Sequence, residues 1–108
     1  MSLPPKKLGI LLSTCPDKTE FRRGVESAAA SLNKGSKTYV YCIDEAVEGV
    51  GDAQLQSLRE RGLVLYACAY GAQRRGLPTN ELAVFAGLGV LGDMIAGTDE
   101  FLSFTGES

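Results

Sequence analysis

The sequence predicts an α/β protein: a single-domain parallel β-sheet of four or five strands with helices on both faces, in flavodoxin-like layering. Three features carry that prediction. Apolar runs of strand length alternate with segments whose apolar residues recur at helical spacing. The apolar runs are continuous rather than alternating, as in strands covered on both faces. Glycine, proline and asparagine mark the joints between segments.

Each element follows in order. KLGILLS, Lys7–Ser13, is the first strand. The loop TCPDKTE comes next. Phe21, Val25, Ala28, Ala29 and Leu32 then form one helical stripe, which Gly35 stops. KTYVYCI, Lys37–Ile43, is rich in β-branched and aromatic residues and reads as the second strand. DEAVEGVGD is a loop. Asp52 is a candidate N-cap for a helix carrying Leu55 and Leu58, and Gly62 ends it. LVLYACA, Leu63–Ala69, is the third strand. A short helical segment runs from about Tyr70 to Arg75, closed by Gly76 and Pro78. NELAVFA fits a strand or a helix. Leu88, Leu91 and Ile95 place a helix that runs to Gly97, and DEFLSF, Asp99–Phe104, is the last strand. Residues 1–6 read as a loose tail and residues 105–108 as a polar tail of one domain spanning 1–108.

Composition removes several functions. Apolar residues make up 44% of the 108 and charged residues 22%, a globular balance. Eleven Lys and Arg against 13 Asp and Glu give a net charge of −2 and no footprint for nucleic acid. No apolar run approaches the ~18 residues that span a bilayer, and the segment after Lys6-Lys7 is too short for a signal peptide. A cytoplasmic protein without a membrane partner is expected. The chain has no histidine, which excludes Ser-His-Asp and Cys-His catalysis and His-ligated metals. Cys15, Cys42 and Cys68 form no CxxC pair, so neither a disulfide framework nor a zinc site is expected. No metal or cofactor is expected. GLGVLG (Gly87, Gly89, Gly92) matches the dinucleotide fingerprint but lacks the βαβ unit after it. Its glycines are expected to serve close helix–sheet packing.

Cysteine is the plausible nucleophile. Cys15 follows the first strand, Cys42 ends the second and Cys68 ends the third, so all three fall at the carboxyl edge of the sheet, where α/β proteins place their sites. If the strand order begins 2-1-3, Cys15 and Cys68 face one crevice and Cys42 lies further out. Cys42 shares the buried face of Val40 and reads as packing. Cys15 and Cys68 both precede helical segments, whose N–H groups favour a thiolate. Arg74 and Arg75 read more simply as a solvated helix end than as a positive rim for an anion. The acids of IDEAVEG read as an exposed loop rather than an acid/base pair.

Taken together, Cys68, Arg75-Gly76, Gly87-Leu88-Gly89-Val90-Leu91 and Asp99 to Phe104 resemble the C-terminal half of DsrE/DsrF-like proteins, including their TusD-type sulfur-relay members. The N-terminal half is similar too: Thr14 and Pro16 in the first loop, an Ala-rich helix ending at Gly35, and IDEAV after the second strand. The resemblance implies a DsrE-like parallel sheet and a homo-oligomer, trimer or hexamer, or a hetero-oligomer with related subunits. It implies a persulfide on Cys68, exchanged with sulfur donor and acceptor proteins, with Thr14, Arg74 and Arg75 on the partner or substrate rim. Cys15 is an extra thiol beside that pattern. Two other readings stand: a non-catalytic oligomeric binding module with an inert Cys68, and a dithiol redox protein using Cys15 and Cys68. The second needs Cα atoms within about 7 Å.

Overall fold

A computed structural model describes residues 6–105. Of the tails expected at residues 1–6 and 105–108, all but Lys6 and Thr105 lie outside the described residues. The element order is β1 (Lys7–Leu12), α1 (Thr19–Asn33), β2 (Lys37–Cys42), a 3₁₀ turn (Asp44–Gly49), α2 (Ala53–Glu60), β3 (Val64–Cys68), α3 (Ala69–Arg74), β4 (Val84–Ala86), α4 (Leu88–Gly97) and β5 (Glu100–Phe104). The five strands form one parallel sheet, as expected. Within NELAVFA only Val84–Ala86 is strand, at a sheet edge beside the end of β3.

The strand order is β4-β3-β2-β1-β5, not one beginning 2-1-3. Each of the first three crossovers steps one strand in the same direction. The last returns across the whole sheet and sets β5 beside β1. Right-handed crossovers then put the outgoing and returning helices on opposite faces. α1 and α2 bring Phe21, Val25, Ala28, Leu55 and Leu58 onto Ile10, Leu12, Val40, Cys42 and Leu65. On the other face Met94 of α4 packs with Tyr41, and Val90 and Leu91 join Leu11, Tyr39, Tyr66 and Phe101 around it. The period of two in β2 and β3 therefore sends Cys42 to the α1 side and Cys68 to the α4 side.

Local chemistry fixes the helix ends. Asp52 caps α2 by accepting from the N–H groups of Gln54 (3.1 Å) and Leu55 (3.2 Å). Its carboxylate also pairs with Arg22 of α1 and ties the two helices together. Burial pulls the Asp52 pKa up. The Arg22 guanidinium and the Leu55 and Gln54 N–H groups outweigh it and hold the carboxyl below its ordinary range. α1 ends in a Schellman turn: Gly35, at φ +84°, donates to the Leu32 carbonyl, and Ser36 donates to that of Ser31.

Close backbone packing falls elsewhere than GLGVLG. A Cβ at Gly87, Gly89 or Gly92 meets nothing within 4 Å, because α4 turns these glycines outward. The tightest approach is at Gly24 of α1, where a Cβ would overlap Leu12 and lie 3.1 Å from the Phe104 ring; Gly9 and Gly49 are also closely covered, by Phe101 and Phe21.

Candidate functional site

β3 runs straight into α3, and Cys68 is the junction. Its backbone is still extended (φ −69°, ψ 115°), and its Sγ caps α3 by accepting from the Gly71 N–H at 3.3 Å. Gly71 packs beside it: a Cβ there would lie 3.7 Å from that sulfur and 3.4 Å from Val47, ordinary contact distances. Such a hydrogen bond is stronger to a thiolate than to a thiol. Cys68 is 4% exposed, packed with Tyr41, Val47, Ala72 and Met94.

The same residue lines a cavity of about 480 Å³. Its walls come from the carboxyl ends of three strands: Ile43 and Asp44 after β2, Cys68, Tyr70 and Gly71 after β3, and Gly87 and Leu88 after β4. Arg74 and Arg75 complete it. These arginines, read from the sequence as a solvated helix end, thus line the same cavity as the thiol. α3 is only six residues long, so its far end is about 9 Å from its start. Arg75 pairs with Glu48 at 3.6 Å and donates to the Gly71 carbonyl at 3.3 Å. The Arg74 guanidinium lies over the Tyr70 ring, 5.8 Å from its centroid.

Nothing in the sequence singles out Tyr41, and Asp44 reads there only as part of an exposed acidic loop. Tyr41 is fully buried, and its hydroxyl donates to the carbonyls of Ala86 and Gly87, both at 3.2 Å. It thus fastens the β4–α4 junction beside Cys68, whose register partner is Ala86. Burial first, then the Cys68 sulfur, pushes the Tyr41 pKa upward and keeps the hydroxyl a donor. Asp44 is exposed, as expected, and has φ +54°, a left-handed backbone uncommon outside glycine; it also lines the cavity. Its signal is the β2 alternation, which ends at the cavity edge.

The other thiols stand apart. Cys42 is fully buried on the α1 side, and burial pushes its pKa up to about 12. Cys15 does not gain the thiolate-favouring environment expected for it. The Asp17 side chain is the main cause of a raised pKa there, with desolvation and the charges of Asp17 and Glu45 adding to it. α1 begins only at Thr19, four residues on. Cys15 and Cys68 do not share a crevice. β2 separates β1 from β3 by two strand spacings, about 9–10 Å. The 3₁₀ turn beyond β2 presents Glu45 toward Cys15 and Val47 toward Cys68. Thr14 is buried behind β1, its Oγ1 unpartnered among the described residues, and it is not part of the cavity wall.

No protein-family model matches the chain, and no curated protein matches it in sequence. A solved structure does: the crystal structure of the ychN protein from E. coli superposes with a TM-score of 0.76, covering 92% of this chain and 99% of that one. The two are 18% identical, so the likeness concerns the fold alone: a five-stranded parallel α/β sheet with flanking helices. No helix among the described residues is long and apolar enough to cross a membrane.

Proposed function

We propose that the protein is a sulfur carrier that accepts sulfur on Cys68 as a persulfide and passes it to an acceptor thiol. The observation that carries this reading is a cysteine set at a strand's carboxyl end, its sulfur taking a backbone N–H and opening on a cavity with two arginines. The DsrE-like fold and the sequence resemblance point the same way. In the loading step the Cys68 thiolate attacks the outer sulfur of a donor persulfide, and the donor leaves as a thiolate. In the second step an acceptor thiolate attacks the outer sulfur now on Cys68, and Cys68 leaves with the electron pair. Neither step needs histidine. The dithiol reading loses its support, since nothing brings Cys15 to the Cys68 cavity. Incubation with glutathione persulfide, followed by peptide mass spectrometry, is expected to find one added sulfur atom on Cys68. Absence of the adduct, or equal adducts on Cys15 and Cys42, contradicts the reading and leaves the inert binding module.

We also infer that copies of the chain associate through α4 and β4. Val84 (53% exposed), Leu88 (59%) and Ile95 (52%) leave an apolar face open, and Asp93 is the only charge on α4. Leu88 lies both on that face and in the cavity wall, so a second copy docked there also closes the site.

A further inference from the structure

We propose that the Cys68 cavity takes a small anionic sulfane-sulfur donor of the thiosulfate type, with its oxyanion end on Arg74 and Arg75. The inference deepens the sulfur-carrier reading and rests on it. Cys68 lies in a cavity wall and is 4% exposed. A sulfur carried on another protein must bring an arm into about 480 Å³ to reach it, whereas a molecule of a few heavy atoms fits inside.

The charges in the wall choose among small donors. Arg74 forms no ion pair among the described residues, and its guanidinium is spread over Tyr70. Arg75 is held loosely, at 3.6 Å from a Glu48 side chain that is itself half exposed. Its other contact is the carbonyl of Gly71, the residue whose N–H reaches the Cys68 sulfur. Arg75 and Cys68 thus hold opposite ends of the same peptide residue and line the same cavity. Asp44 is the opposing charge in the wall, against two arginines. A guanidinium presents paired donors that match sulfonate oxygens.

The reaction balances without a further reagent. Cys68 loses its proton to solvent, and its thiolate attacks the sulfane sulfur of thiosulfate. A sulfur–sulfur bond forms to Cys68, and the bond between sulfane and sulfonyl sulfur breaks. Its electron pair departs with sulfite, leaving a Cys68 persulfide.

Two measurements test this. In the first, thiosulfate is expected to load one sulfur on Cys68 and release sulfite one for one, with saturation. Arg74→Gln and Arg75→Gln are each expected to raise KM for thiosulfate roughly tenfold or more, the loss of a charge-assisted contact. In the second, Cys68 is alkylated with iodoacetate and with iodoacetamide, which match in size and differ in charge. The iodoacetate-to-iodoacetamide rate ratio is expected to be higher at Cys68 than at Cys15, which faces Asp17 and Glu45, and to fall in both arginine variants. Loading from glutathione persulfide but not from thiosulfate, or an equal alkylation ratio at the two cysteines, overturns the anionic donor and leaves the carrier. Loading from neither donor overturns both.

Discussion

Replacing Tyr41 with Phe tests what covers the thiol. The ring stays, so the core keeps its volume and no cavity opens. Only the hydroxyl is lost, and with it the bonds to Ala86 and Gly87. Losing a hydrogen bond costs about 1 kcal/mol, and leaving a buried partner unsatisfied costs about 1–3 kcal/mol. The two carbonyls belong to half-buried Ala86 and exposed Gly87, where water can replace the donor, so the expected loss is about 1 kcal/mol. For a domain of this size that is a fall in Tm of about 4–8 °C per kcal/mol. The functional effect is sharper. The β4–α4 junction beside Cys68 loses its tether, so alkylation of Cys68 by iodoacetamide is expected to speed up several-fold. Cys42, buried on the opposite face, is the internal control and is expected to stay slow. Equal acceleration of both thiols signals general unfolding, and an unchanged Cys68 rate shows that the hydroxyl does not hold the cover. Either result refutes the argument.

Gly24→Ala sets two terms against each other. Alanine gains about 1 kcal/mol of helix propensity, and overpacking against Leu12 and Phe104 costs about 1–3 kcal/mol. Denaturant unfolding is expected to show a net loss, and a gain means that α1 lifts freely from the sheet. Asp52 is held ionised in the fold, so its contribution is complete above the ordinary carboxylate range and disappears as pH falls through its lowered folded pKa. Thermal melts from pH 6 to pH 2 are expected to show Asp52→Asn already destabilised at pH 6 and less sensitive to acid than the parent; parallel curves disprove this. Ile95→Glu is expected to shift light-scattering mass from an oligomer to a monomer at unchanged helicity. A parent chain that is already monomeric at tens of micromolar removes the α4 interface.

The element types were legible because they are local. Asp52 as a cap, Gly35 as a stop and the unbroken runs of β1 and β3 need only neighbouring residues. Strand order was not legible, because it depends on how each crossover steps across the sheet, and no residue in β2 declares that it will lie between β1 and β3. The single expectation of order therefore misplaced Cys15. Arg74 and Arg75 read as a plain helix end because nothing local shows that Ile43 and Asp44 after β2 and Gly87 and Leu88 after β4 close a cavity around them. A helix of six residues keeps both ends of a site together. Tyr41 escaped notice because its neighbour Ala86 is 45 residues away. The glycines of GLGVLG were misread for the opposite reason: their pattern is local, while the face that α4 turns to the sheet is set by Val90, Leu91 and Met94, which leaves the glycines exposed.

The place of β5 has a consequence for how the chain is made. β1 through β4 can pair one after another as they leave the ribosome, each with the strand just before it. The other side of β1 waits for the last strand, whose Asp99 carboxylate accepts from the Lys7 N–H across 92 residues. Until then the nascent sheet carries an open edge of apolar backbone at its first strand, the kind of edge that recruits stray strands. Completion of the sheet therefore waits for β5, and loss of Glu100–Phe104 exposes the edge of β1, the strand made first.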